Sequence, residues 1–119
     1  MPHLTLDYSS RLAGVFDASV LVKELHPLVL EESGSAGVCK TLVRPVATYV
    51  GDMSCEESGF VHVEVGLLPG RPGEQRARLA ESVLALLGAH LRAAGVEAVC
   101  SVEVRELSGT YRLSTSSAP

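Results

Sequence analysis

Pro2 stands directly behind the initiator Met1, and its chemistry depends on that place. With Met1 removed, the first backbone nitrogen is a secondary amine. An α-amino group has a pKa of about 7.7–8.0, nearer neutrality than a lysine. Burial and neighbouring cations lower it further, into the range where an amine works as a general base at pH 7. The other chemistry-bearing residues read more simply. His3 and His62 lie 59 residues apart, each opening an alternating run, Pro2-His3-Leu4-Thr5-Leu6-Asp7-Tyr8 and His62-Val63-Glu64-Val65. No third ligand stands at metal-binding spacing, so they read as strand histidines with hydrogen-bond partners and no metal is expected. His26, before a proline, and His90, on the apolar side of a helical pattern, read as structural. Cys39, Cys55 and Cys100 are an odd set without C-x-x-C spacing, which favours reduced thiols over a disulfide framework or a zinc site. Cys39 and Cys100 read as core. Cys55 and the glutamates Glu56 and Glu57 sit in a polar, acidic loop, a neighbourhood that does not activate a thiol.

The elements that must position Pro2 follow from periodicity. Leu4, Leu6 and Tyr8 alternate with His3, Thr5 and Asp7, the pattern of a half-buried strand. Val61, Val63, Val65 and Leu67 do the same in a third strand. Cys39, Thr41 and Val43 share a face of the second, and Ala98, Cys100, Val102 and Val104 a face of the fourth. Pro45 inside the second strand calls for an edge position or a bulge. A helix from about Gly73 to Ala94 follows Pro72, with Leu79, Val83, Leu86, Leu87, His90, Leu91 and Ala94 at helical spacing and Gly95 as its stop. An earlier helix is capped by Asp17 or Ser19 and ends at Gly34. Val20, Leu21, Val22, Leu25, Leu28 and Val29 form its buried stripe, and Pro27 is expected to kink or break it.

The plan is therefore a repeat. Each half runs strand, helix, strand, and Cys39 and Cys100 recur 61 residues apart. The fold class is α/β (α+β): a tandem βαβ repeat making a four-stranded mixed sheet with two helices on one face. A unit of this kind pairs its strands in parallel. Residues 1–110 form a single domain, with halves over about 1–50 and 60–107, and 111–119 a Ser-rich disordered tail. Two helices cover one face only. The other carries His3, Thr5, Asp7, Lys40, Leu42, Arg44, Val46, His62, Glu64, Ser101, Glu103 and Arg105, and a symmetric oligomer is the simplest cover for it.

Composition narrows the function class. Net charge is −4 and aromatics make up 4%, without a basic stripe, so nucleic acid is not an expected partner. No apolar run approaches a membrane span, and the amino terminus lacks a signal-peptide pattern. The expected location is the cytoplasm.

These pieces resemble the tautomerase superfamily, and more narrowly the 5-carboxymethyl-2-hydroxymuconate delta-isomerases. The likeness is carried by Met1-Pro2-His3, His26-Pro27, Ala36-Gly37-Val38, Thr48-Tyr49, Phe60-Val61-His62, Gly70-Arg71 and Ser101-Val102-Glu103-Val104-Arg105-Glu106-Leu107, over roughly residues 1–107. It implies a homotrimer of βαβ-βαβ subunits and an amino-terminal proline base that needs no metal or organic cofactor. It also implies a small unsaturated dicarboxylate substrate from homoprotocatechuate breakdown, in which a double bond moves through a dienol or dienolate.

Residue by residue, Pro2 matches the family's base and Arg71 its active-site arginine. A guanidinium at Arg71 grips a substrate carboxylate or steadies charge on an enolate oxygen. Lys40 departs from the pattern. Aligned on Thr48-Tyr49 it stands where the family carries a second arginine; aligned on Ala36-Gly37-Val38, Cys39 stands there. Arg44, on the same strand face, is an alternative substrate ligand. Lysine keeps the charge but lacks the planar fork, which bears on substrate identity more than on reaction type. Two other readings stay open: an enol-keto tautomerase of another 2-oxo acid, and a non-catalytic trimeric binding protein of the same fold.

Overall fold

In the computed structural model, which describes residues 2–35, 39–51 and 59–117, the alternating run after Pro2 becomes strand β1 (His3–Ser9), followed by a 3-10 turn at Ser10–Leu12. Leu4 and Leu6 are buried on one face of β1, while His3, Thr5 and Asp7 take the other. Helix α1 (Ala18–Ser33), strand β2 (Lys40–Val46), strand β3 (Gly59–Leu67), helix α2 (Gly73–Ala93) and strand β4 (Ala98–Glu106) follow among the described residues.

The sheet order is β2-β1-β3-β4. β1 pairs with β2 in parallel, β3 with β4 in parallel, and β1 with β3 antiparallel. The repeat is visible in the register: His3 faces Gly66 and Asp7 faces His62, so a two-fold relation between the halves passes through the central strand pair. β2 is an edge strand, which meets the requirement that Pro45 sets, since a proline cannot donate to a neighbour on both sides.

Both helices lie against the face carrying Leu4, Leu6, Val61, Val63, Val65 and Leu67. Each presents a row at four-residue spacing: Leu21, Leu25, Val29 and Ser33 from α1, and Leu79, Val83, Leu87 and Leu91 from α2. Burying side chains of this size contributes about 1.5–3 kcal/mol each. Val20 falls one step round the helix from the row and is 45% exposed, which corrects the wider stripe expected from spacing alone.

Asp17 is the cap of α1. Its carboxylate accepts from the Ser19 and Val20 amides at 3.0 and 3.3 Å and from the Ser19 hydroxyl at 2.6 Å; the hydroxyl bond above all, and then the Val20 amide, hold its pKa down. Pro27 does not break α1 as expected. Pro27 and Lys23, whose carbonyl loses its usual amide partner, are both on the exposed side, where water replaces the missing bond. Gly34 ends the helix in the left-handed region (φ 65°).

Candidate active site

The topology collects the sequence's chief candidates at one end of the sheet. β1 and β2 begin there, while β3 and β4 end there. Pro2 is buried at the head of β1, and its carbonyl accepts the Lys40 amide at 3.1 Å. Lys40 stands opposite His3, so its exposed side chain belongs to the helix-free face. The neighbouring Cys39 turns to the helix side and is part-buried against the core. Burial raises the Cys39 thiol pKa, with a smaller opposing effect from a Thr41 hydrogen bond; burial raises that of Cys100 too. Both are neutral thiols near pH 7. Cys55, Glu56 and Glu57 lie outside the described residues.

Arg71 enters from the turn between β3 and α2. Its Nε donates to the Ser33 carbonyl at 2.6 Å, one terminal nitrogen to the Leu68 carbonyl at 3.3 Å, and the other to the Ser35 hydroxyl at 3.0 Å. Ser33 is the last residue of α1, whose final carbonyls lack helical partners and carry the negative end of the helix dipole. Arg71 thus ties the turn to the carboxyl end of α1. A guanidinium has five N–H donors, so these bonds leave one on each terminal nitrogen for a further acceptor. The turn is held from the other side by the Gly70 amide, which donates to Glu106 Oε2 at 3.0 Å.

Arg44 is not brought to this end. It lies four residues along β2 from Lys40, about 13 Å at strand rise. Its guanidinium forms a two-pronged pair with Asp7, Nε to Oδ1 at 2.7 Å and a terminal nitrogen to Oδ2 at 3.0 Å. The hydrogen bonds and charge of Asp7 raise the Arg44 pKa.

Two contacts at the Pro2 end escaped the sequence reading, which took 111–119 as a disordered tail. The Tyr111 hydroxyl is 2.7 Å from His3 Nε2, and the two rings meet edge to face with centroids 5.0 Å apart. Leu107 lies against Gly66, opposite His3; a Cβ on Gly66 would sit 2.7 Å from the Leu107 side chain. A lone tyrosine in a polar tail was the available signal. His3 has a pKa below 6.5, because of burial first and the Lys40 charge second. His62 bonds the Ser101 hydroxyl at 2.7 Å, His26 the Thr41 hydroxyl at 2.9 Å, and His90 the Glu24 carboxylate at 2.7 Å. Among the described residues no three His, Cys, Asp or Glu side chains group as a metal site, and no helix is long and apolar enough to cross a membrane.

Pro2, Lys40 and the Arg71 turn thus share one end of the sheet, Lys40 joined to Pro2 through the backbone and Arg71 to the carboxyl end of α1. Residues 2–117 match the model of the 5-carboxymethyl-2-hydroxymuconate isomerase family. The chain belongs to that family. No curated protein sequence matches it. Among solved structures, a 5-carboxymethyl-2-hydroxymuconate isomerase from Deinococcus radiodurans R1 superposes with a TM-score of 0.80 at 26% identity, over 96% of this chain and 90% of that one. A 5-carboxymethyl-2-hydroxymuconate delta-isomerase superposes at 0.82 with 19% identity, over 98% and 89%. The wild-type fused 4-OT called W0, a symmetric trimer, superposes at 0.66 with 10% identity, over 89% and 87%. This member of the isomerase family has the tautomerase-like fold throughout its described residues.

Proposed function

We propose that this isomerase shifts a double bond in a small unsaturated dicarboxylate of the 5-carboxymethyl-2-hydroxymuconate type, with the Pro2 amine as general acid and base. The observation that carries the reading is the position of Pro2: buried at the head of β1, bonded through its carbonyl to Lys40, and at the same sheet end as the Arg71 turn. The amine takes a proton from the substrate next to its carbonyl or enol, the electron pair moves into the conjugated chain as a dienolate, and the ammonium returns the proton further along. Nothing is gained or lost overall, so no cofactor enters. Arg71 and Lys40 bind the carboxylates and steady the enolate charge. In this reading Arg44 keeps the sheet face ordered through Asp7 and does not touch substrate.

The functional unit is a homotrimer acting in homoprotocatechuate breakdown in the cytoplasm. The helix-free face supports the assembly: Leu42 and Val99 on it are 45% and 59% exposed, and the W0 structure is a symmetric trimer.

The test is an ultraviolet assay with 5-carboxymethyl-2-hydroxymuconate on wild type and Pro2→Ala of verified mature amino terminus. Wild-type turnover with a large loss of kcat in Pro2→Ala supports the proposal; equal rates overturn it. Lys40 in place of a planar fork keeps a second reading, an enol-keto tautomerase of another 2-oxo acid. A higher kcat/KM for a simple 2-oxo acid enol in the same assay selects it.

A further inference from the structure

The chain does not leave the sheet after β4. The Leu107 amide donates to the Leu67 carbonyl at 2.7 Å, and the Leu107 side chain lies against Gly66. A turn follows, with the Tyr111 amide on the Ser108 carbonyl at 3.0 Å and the Ser108 and Thr110 hydroxyls 2.8 Å apart. Arg112 closes it by donating to the Gly109 and Tyr111 carbonyls at 3.0 and 2.9 Å. The segment runs from β3 toward β1 on the helix-free side and ends with Tyr111 against His3.

His3 is the residue next to Pro2 and faces Lys40 across the strand pair. His3 opens β1 one residue behind the amine, so a restraint on its ring acts on the backbone that carries Pro2. We propose that Tyr111 is a positioning residue for the Pro2 amine, acting through His3. The edge-to-face ring contact sets where His3 lies, and the hydroxyl bond sets its rotation. Leu107 rests on Gly66, where a Cβ would sit 2.7 Å from a terminal methyl of the leucine and turn that methyl aside. This inference rests on Pro2 being a free amine, and its test reads that amine directly rather than turnover.

The probe is bromoacetate, a small anionic alkylating agent. The amine nitrogen attacks its methylene carbon, bromide leaves, and the amine proton passes to solvent. Labelling is followed by mass at the amino-terminal peptide, apart from the cysteine peptides, in wild type, Tyr111→Phe, His3→Ala and the double variant. A lost hydrogen bond predicts a fall in the Pro2 rate of about three- to tenfold in Tyr111→Phe. The same fall is expected in His3→Ala, with no further fall in the double variant, the signature of two residues acting as one unit. A Pro2 rate unchanged by Tyr111→Phe, or additive losses in the double variant, overturns the positioning role while leaving the amine base in place. Retained Met1 with no labelling in any variant overturns both.

Discussion

At the residue scale, Arg71 holds a turn in the structure and, in the proposed function, also meets substrate, and the two separate experimentally. Two of its donors tie the β3–α2 turn to the end of α1 and a third closes the turn on Leu68; the two left over are the number a bidentate carboxylate contact uses. Arg71→Ala is therefore expected to lower both kcat/KM and thermal stability, each by about 1.5–3 kcal/mol. Arg71→Lys keeps a charge but not the fork, so it recovers part of kcat/KM and little stability. Kinetics beside a thermal melt checks the split. His3 supplies a pH prediction. Its folded pKa lies below its ordinary 6.5, so between the two values the unfolded chain binds more protons. Stability from this group is present above about pH 6.5 and declines as the pH falls toward the lowered value. Ring titration by NMR should give a His3 midpoint under 6.5, and His3→Gln should flatten the fall in melting temperature between pH 7.5 and 5.5. A midpoint above 6.5 would contradict the environment described for His3.

At the scale of elements, Pro27 sits in the exposed side of a continuous helix. Pro27→Ala restores an N–H for the Lys23 carbonyl and should stabilise the protein by about 1–3 kcal/mol, read as a higher urea midpoint. Leu87→Ala, in the fully buried row of α2, should cost about 2–5 kcal/mol. β1, β3 and α2 were legible because each buries one face, and one-sided burial writes itself into the sequence as a period of 2 or 3.6; β2, exposed at five of its seven residues, carries that period weakly. Pro45, which lacks a donor, called for an edge position or a bulge, and β2 lies at the edge. The continuity of α1 through Pro27 was not legible, because a proline's effect depends on which side of the helix it occupies, and the crowded apolar run Val20 to Leu25 blurs that side. Of the proposed site, the tandem plan let the sequence bring Pro2, Lys40 and Arg71 to one sheet end. The bonds from Arg71 to Ser33 and Ser35, and from Tyr111 to His3, join residues 36 to 108 apart in the chain. Such contacts carry no periodicity, so the sequence is silent on them.

At the scale of the molecule, the radius of gyration is 15.5 Å, against about 13.5 Å for a compact domain of this length. A flattened subunit with one helix-free sheet face fits the homotrimer proposed above. Light scattering should give three times the subunit mass, and Leu42→Asp, at the exposed face, should shift it toward monomer with the fold kept by circular dichroism. A wild-type monomer would contradict the assembly. The central claim, however, concerns one atom. The Pro2 nitrogen is a base only as a free amine, because in a peptide bond it has no basicity. The intact mass of the protein made in its native host decides this most directly. The account predicts a chain beginning at Pro2; a mass that still includes Met1 would contradict it.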